Sequence, residues 1–327
     1  MRPLLPLLFV VALGIPASNQ SARPVLGPTP DMRATRVALF PRDPARARVD
    51  ALTYLGGVRL SSRDEAFGGF SSMLVRGDRF TLLSDSGNLV SFRMGADFRP
   101  FDTVFADLPA GPALGWTKSD RDSESMTQDP ASGRIWVGFE NYNAIWRFDA
   151  GLTRGEASVR PRPMRLWDVN GGPEAMTRLT DGRFVILSET TLAKKIPGNK
   201  ALVFSRDPTD PRSKFTRFAF VPPAGGFAPS DMTQLPDGRL LVLVRRISIN
   251  RWFESKLVVL DPAHIRANTA IRGREIAAFT VPMTRDNFEA IAVTREGSDT
   301  ILWIASDDNR ELVQQSLLMK FRIDSLP

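Results

Sequence analysis

Gly172-Pro173-Glu174-Ala175-Met176-Thr177, followed by the turn Thr180-Asp181-Gly182 and the apolar run 183–188, is the stretch that decides the fold, because the chain repeats it. Its counterparts are Ser71-Ser72-Met73, Glu124-Ser125-Met126-Thr127, Ser230-Asp231-Met232-Thr233 and Glu289-Ala290-Ile291-Ala292. Their Met or Ile positions recur at intervals of 50 to 59 residues. A period of about 50 residues built from β-type runs marks a propeller, in which each repeat is one four-stranded blade.

The clearest strand of each repeat is its second, at 80–84, 134–139, 183–188, 239–244 and 300–305. These runs are nearly continuous in apolar residues, as strands covered on both faces must be. Before each stands a turn, such as Asp129-Pro130-Ala131-Ser132-Gly133 or Pro236-Asp237-Gly238, in which glycine supplies the positive φ of a hairpin. Third strands are expected at 88–93, 144–148, 201–205, 256–260 and 317–323, and weaker fourth strands at 103–108, 164–169, 215–221 and 276–281. The last repeat runs out of chain, so its fourth strand must come from elsewhere, and 54–61 is the candidate. The expected fold is all-β, with five four-stranded blades closed by an N-terminal strand, or six if residues 34–60 hide a degenerate one.

Residues 1–22 read as a secretory signal: Met1-Arg2-Pro3, a short apolar core from Leu4 to Ile15, then small residues. An N-terminal extension over 23–50 and a propeller over 51–327 follow. The protein is therefore expected in the periplasm or secreted, without a transmembrane helix once the signal is removed, and as a monomer. The chain has no cysteine, so packing alone must hold it together. Its net charge of +7 suits a small anionic or phosphorylated ligand. No basic run interleaved with aromatics suggests nucleic acid.

The hairpin between first and second strands lies at one end of a blade, so first-strand starts and second-strand ends share the opposite face. First-strand starts carry Glu124, Glu174, Asp231 and Glu289, and second-strand ends carry Asp85, Glu140, Glu189, Asp307 and Asp308. First strands are innermost, which places the former set at the mouth of the central channel. Oxygen-rich clusters suit Ca²⁺, and the expected metal ligands are Asp85, Glu124, Glu174, Asp231, Glu289 and Asp307. No organic cofactor is expected. His264 is the single histidine and there is no G-x-S-x-G elbow, which weighs against zinc sites and Ser-His-Asp hydrolases. Loops reaching the same face carry Lys118, Arg121, Lys194, Lys195, Lys200, Arg245, Arg246, Arg251 and Arg310, cations suited to holding phosphate oxygens. Glu124, Glu174 and Glu289 are the candidate catalytic carboxylates.

The chain resembles the phytase-like family, described by an esterase-like activity of phytase. The resemblance rests on Phe67-Gly68-Gly69-Phe70-Ser71-Ser72-Met73, Leu83-Ser84-Asp85-Ser86-Gly87, Gly172-Pro173-Glu174-Ala175-Met176, Leu187-Ser188-Glu189 and Asn287-Phe288-Glu289-Ala290-Ile291, within about residues 50–325. It implies an exported bacterial propeller related to phosphate-ester chemistry. In that family the Glu of the phrase is commonly followed by Gly, whereas Ser125, Ala175 and Ala290 stand here. Two functions follow as expectations: an ester or phosphoric-ester hydrolase with a Ca²⁺-binding channel mouth, or a noncatalytic propeller that binds a ligand or partner in the cell envelope.

Overall fold

The structure, a computed structural model, describes residues 22–248 and 252–327. The expected leader, Ala22 apart, and Arg251 lie outside them. Strands Phe70–Arg76, Arg79–Ser84, Asn88–Met94 and Pro100–Asp107 form the first blade, each paired antiparallel with the next. Ser123–Gln128, Ile135–Phe139, Ala144–Phe148 and Gly155–Val159 form the second, and Pro173–Arg178, Phe184–Leu192, Asn199–Phe204 and Phe215–Val221 the third. Ala228–Gln234, Leu240–Ser248, Trp252–Leu260 and Arg274–Phe279 form the fourth. The fifth contains Asn287–Glu296, Asp299–Asp307 and Ser316–Ile323, and its fourth strand is the N-terminal Leu52–Ser62, paired antiparallel with Ser316–Ile323.

The ring thus closes as expected, with five blades, because the last blade borrows a strand from the other end of the chain. Met32–Arg36 adds outside Leu52–Ser62, so part of the N-terminal extension belongs to that sheet. The inner strands of the five blades touch in turn around the axis. Five apolar clusters fill the five gaps between neighbouring blades: Val137 and Phe139 pack with Leu83 and Leu89, for example, and Leu302 and Ile304 with Leu241 and Leu243. Met73, Met126, Met176, Met232 and Ile291 are buried in these gaps, one in each.

One strand expectation is corrected. The outer strand of the second blade is Gly155–Val159, not 164–169. Pro161 and Pro163 break the sheet pattern, and the apolar residues that suggested a strand, Met164 and Trp167, are buried plugs in the gap to the third blade. The third blade also gains a short parallel strand, Ala270–Arg272, contributed from the fourth. No helix among the described residues is long and apolar enough to cross a membrane.

Candidate functional site

Every first strand carries a bulge at its start. In pairing with its second strand each skips one residue: Ser71, Glu124, Glu174, Ser230 and Glu289. A bulge leaves its extra residue unpaired and re-aims its side chain. In the first and fourth blades that residue is serine, whose hydroxyl donates to the next inner strand: Ser71 Oγ to the Ser123 carbonyl at 2.6 Å and Ser230 Oγ to the Phe288 carbonyl at 3.4 Å. In the second, third and fifth blades it is glutamate, and the three carboxyl groups meet around the channel mouth. All three are buried.

Second-strand ends bring Asp85, Glu140, Glu189 and Asp307 to the same place, and Asp122 arrives at the end of the short helical turn Lys118–Arg121. Two trios of carboxylate oxygens lie within 4.8 Å of one another, Asp122 with Glu124 and Glu140, and Glu140 with Glu174 and Glu189. Glu140 belongs to both. Its carboxylate oxygens lie close enough to those of Asp122 and Glu174 that the like charges repel unless protons or cations stand between them.

Burial and crowding govern the charges. Burial, then the Asp122 charge, pushes the Glu140 carboxyl up to about 8. Burial also lifts Glu124 and Glu174 well above the usual carboxylate range, reinforced by Asp122 for the first and Glu189 for the second. Asp307 is raised by burial and by Glu289, and Glu289 is raised by burial despite Arg245. Asp85 goes the other way: its burial is outweighed by Lys118 and Arg310, which hold it below its ordinary value.

Three of the expected cations enter the cluster. Lys118 Nζ lies 2.9 Å from Asp85 Oδ2 and 3.4 Å from Asp122 Oδ1. Arg245 Nη2 sits 3.1 Å from both Glu189 Oε1 and Glu289 Oε1, joining the third, fourth and fifth blades. Arg310 Nη2 lies 3.1 Å from Asp85 Oδ1.

The other expected cations face elsewhere. Arg121 is folded back on its own loop, donating to the Pro112 carbonyl at 2.6 Å. Arg246 follows Arg245 on a strand and so points to the other side, where it pairs with Glu254 at 2.6 Å and lies over the Phe227 ring. Lys194 and Lys195 are exposed and make no ion pair among the described residues.

Asp231 is also out of place as a metal ligand. It directly precedes Met232, whereas Glu124, Glu174 and Glu289 stand two residues before their Met or Ile, so it follows the bulge instead of occupying it. Its carboxylate accepts the backbone N–H groups of Met232 and Ile291, each at 2.7 Å, tying the fourth blade to the fifth. Ser72 does the same at the boundary between the first and second blades, accepting from Met126 N–H at 2.9 Å. Conversely, Asp122 is a hub residue that the repeat pattern did not single out. It belongs to the connection between blades, and its only sequence signal was its position two residues before Glu124.

The donor set is all oxygen, and His264 lies in a turn after the third strand of the fourth blade. Hard cations such as Ca²⁺ fit carboxylates of this kind, and Asp122, Glu124, Glu140, Glu174 and Glu189 are the residues that would hold them. The opposite mouth differs: a cavity of about 610 Å³ opens there, lined by first-strand ends that include Arg76, Gln128, Arg178, Gln234 and Arg295.

Fold and hub together define a five-bladed propeller with a buried acidic cluster at one channel mouth. The chain belongs to the phytase-like family, described as "esterase-like activity of phytase", which matches residues 65–310. Among solved structures it is similar to the glutaminyl cyclase of Myxococcus xanthus, at 10% identity and a TM-score of 0.50, over 80% of this chain and 92% of that one. It is also similar to the hydrazine synthase of Kuenenia stuttgartiensis, at 11% identity and a TM-score of 0.39, over 75% and 58% of the two chains. A third is the Cps50 (Swd1) beta-propeller domain of Myceliophteria thermophila, at 10% identity and a TM-score of 0.38, over 83% and 74%. At these identities the first likeness concerns the fold alone, and the other two support no argument. No curated protein matches the chain.

Proposed function

We propose that the acidic hub is a divalent-cation-dependent hydrolase site for esters, phosphate monoesters foremost, in a protein exported to the periplasm or beyond. The observation that carries this reading is Glu140, shared between two carboxylate trios whose oxygens lie within 4.8 Å of one another. Burying so many acids is costly unless protons or cations offset them. When bound, Ca²⁺ in these trios would polarise a phosphoryl oxygen and neutralise its charge.

The chain's own groups supply the rest. Lys118, Arg245 and Arg310 stand beside the carboxylates and orient the remaining phosphate oxygens. Glu140, whose carboxyl is raised to about 8 when no cation is bound, gives up that proton as a cation binds and then accepts and returns a proton as a carboxylate. It takes the proton of the attacking water as the oxygen–phosphorus bond forms. Glu174 is a carboxylate when it holds the cation, and the departing alkoxide takes back the proton that Glu140 accepted. Burial also excludes bulk water, which strengthens each of these interactions.

The test is hydrolysis of p-nitrophenyl phosphate and p-nitrophenyl acetate in Ca²⁺ by Glu140→Gln and Glu174→Gln. Each should lose at least about 100-fold in kcat/KM with an unchanged melting temperature. Turnover equal to the parent in both variants would remove the hub as the site.

A binding propeller without turnover is the second reading, favoured by the ion pairs of Arg245 with Glu189 and Glu289, which already neutralise part of the hub. Stabilisation by Ca²⁺ with no turnover on either ester supports it. Both readings take a small anionic ligand and a monomer.

A further inference from the structure

The face that carries the hub also carries exposed apolar side chains. Leu166 and Val169, in the connection between the second and third blades, are 82% and 56% exposed, and Leu192, at the end of the third blade's second strand, is 66% exposed. The two segments are joined into one surface. Thr190 Oγ1 donates to the Asn170 carbonyl at 3.2 Å, the Asp168 N–H donates to Thr191 Oγ1 at 2.8 Å, and Lys200 Nζ donates to the Leu166 carbonyl at 3.3 Å.

Cations surround these apolar tips. Arg160, Arg162, Arg165, Lys194 and Lys195 are all exposed, and none makes an ion pair among the described residues. Asp168 is the acid on this surface, since nearby Glu189 is occupied by Arg245. Further round the same rim stand exposed Trp116 and Trp252. The hairpin turns between first and second strands, on the opposite face, present no exposed large apolar side chain among the described residues.

We propose that this rim docks on an anionic lipid bilayer. Its apolar residues sit at strand ends and in the connections between blades with most of their surface exposed, which suits insertion into a plane more than closure around a small ligand. Basic residues interleaved with leucine match the chemistry of an anionic headgroup layer, each strengthening attachment to such a surface about fivefold. Tryptophan favours the level between headgroups and acyl chains. The surface needs none of the hub's carboxylates, so it stands or falls independently of the hydrolase reading.

Sedimentation of the chain from residue 23 onward with vesicles tests the proposal, using phosphatidylcholine alone and phosphatidylcholine mixed with phosphatidylglycerol. Binding is expected to the mixed vesicles, weakening as salt is raised. Arg165→Gln/Lys194→Gln/Lys195→Gln should weaken it by about 100-fold, and Leu166→Ser/Leu192→Ser by at least about tenfold. All these side chains are exposed, and unchanged melting temperatures verify that the variants fold. Failure to sediment with mixed vesicles overturns the assignment. So does a leucine variant that binds as well as the parent while heparin competes fully, because that pattern belongs to a soluble polyanion.

Discussion

The two mouths of the central channel are built from the same five first strands, yet their chemistry is opposite. At one end the bulges and second-strand ends bring Asp85, Glu124, Glu140, Glu174, Glu189, Glu289 and Asp307 together, the connection before the second blade adds Asp122, and Lys118, Arg245 and Arg310 stand among them. At the other end the strands finish in Arg76, Gln128, Arg178, Gln234 and Arg295 around an open cavity, where charges remain solvated or pair locally, as Arg178 does with Asp129 at 3.3 Å. The difference teaches that a propeller concentrates cost at the mouth where charged groups are buried. Substitutions there should act strongly, and equivalent ones at the turn mouth weakly.

Arg245→Met should break the comparison most severely, since it leaves Glu189 and Glu289 without their shared counter-charge. A loss of about 3–5 kcal/mol in urea unfolding is expected, partly restored by added Ca²⁺. A loss below about 1 kcal/mol would mean that the acids hold protons and need no guanidinium.

Stability should also depend on pH in a direction set by the hub. The folded Glu140 carboxyl, near 8, lies above its ordinary value of 4.5, so between those values the folded state binds more protons than the unfolded. Metal-free protein is therefore most favoured below about pH 4.5 as far as this group is concerned, and loses that contribution as pH rises through about 8. The melting temperature should fall by on the order of 5 °C across this window in EDTA. Ca²⁺ should stabilise more at pH 8.5 than at pH 6, because it replaces protons that have already left. A flat profile in EDTA would show that the carboxyls are ionised throughout.

Asp231→Ala separates stitching from chemistry within the same blade repeat. It removes the acceptor for two buried backbone N–H groups and should cost about 1–3 kcal/mol while leaving Ca²⁺ affinity unaltered. A large drop in Ca²⁺ affinity would return Asp231 to the hub. Arg76→Gln, at the solvated mouth, should change stability by less than about 0.5 kcal/mol.

Much of the architecture was legible in the chain because a blade is a local object. Turns such as Thr180-Asp181-Gly182 and the apolar runs after them fix hairpins within some 20 residues, and the recurrence of Met126, Met176 and Met232 marks the gaps they fill. The outer strand of the second blade was less legible, because an edge strand needs few apolar residues and Gly155–Val159 has little pattern to show. The gathering of Glu124, Glu174 and Glu289 also followed from the repeat, since equivalent positions on radially arranged blades must converge.

The sequence by itself determined the repeat, the closure by an N-terminal strand and the side of the ring on which the carboxylates fall, because each depends on periodicity and strand direction. Only the tertiary structure decided which charged residues meet. A single skipped residue in the pairing aims Glu174 into the hub and leaves Asp231 holding backbone, and alternation along one strand sends Arg245 inward and Arg246 outward. Asp122 joins through a connection whose path is set by packing between blades, so neither composition nor spacing specified its partners.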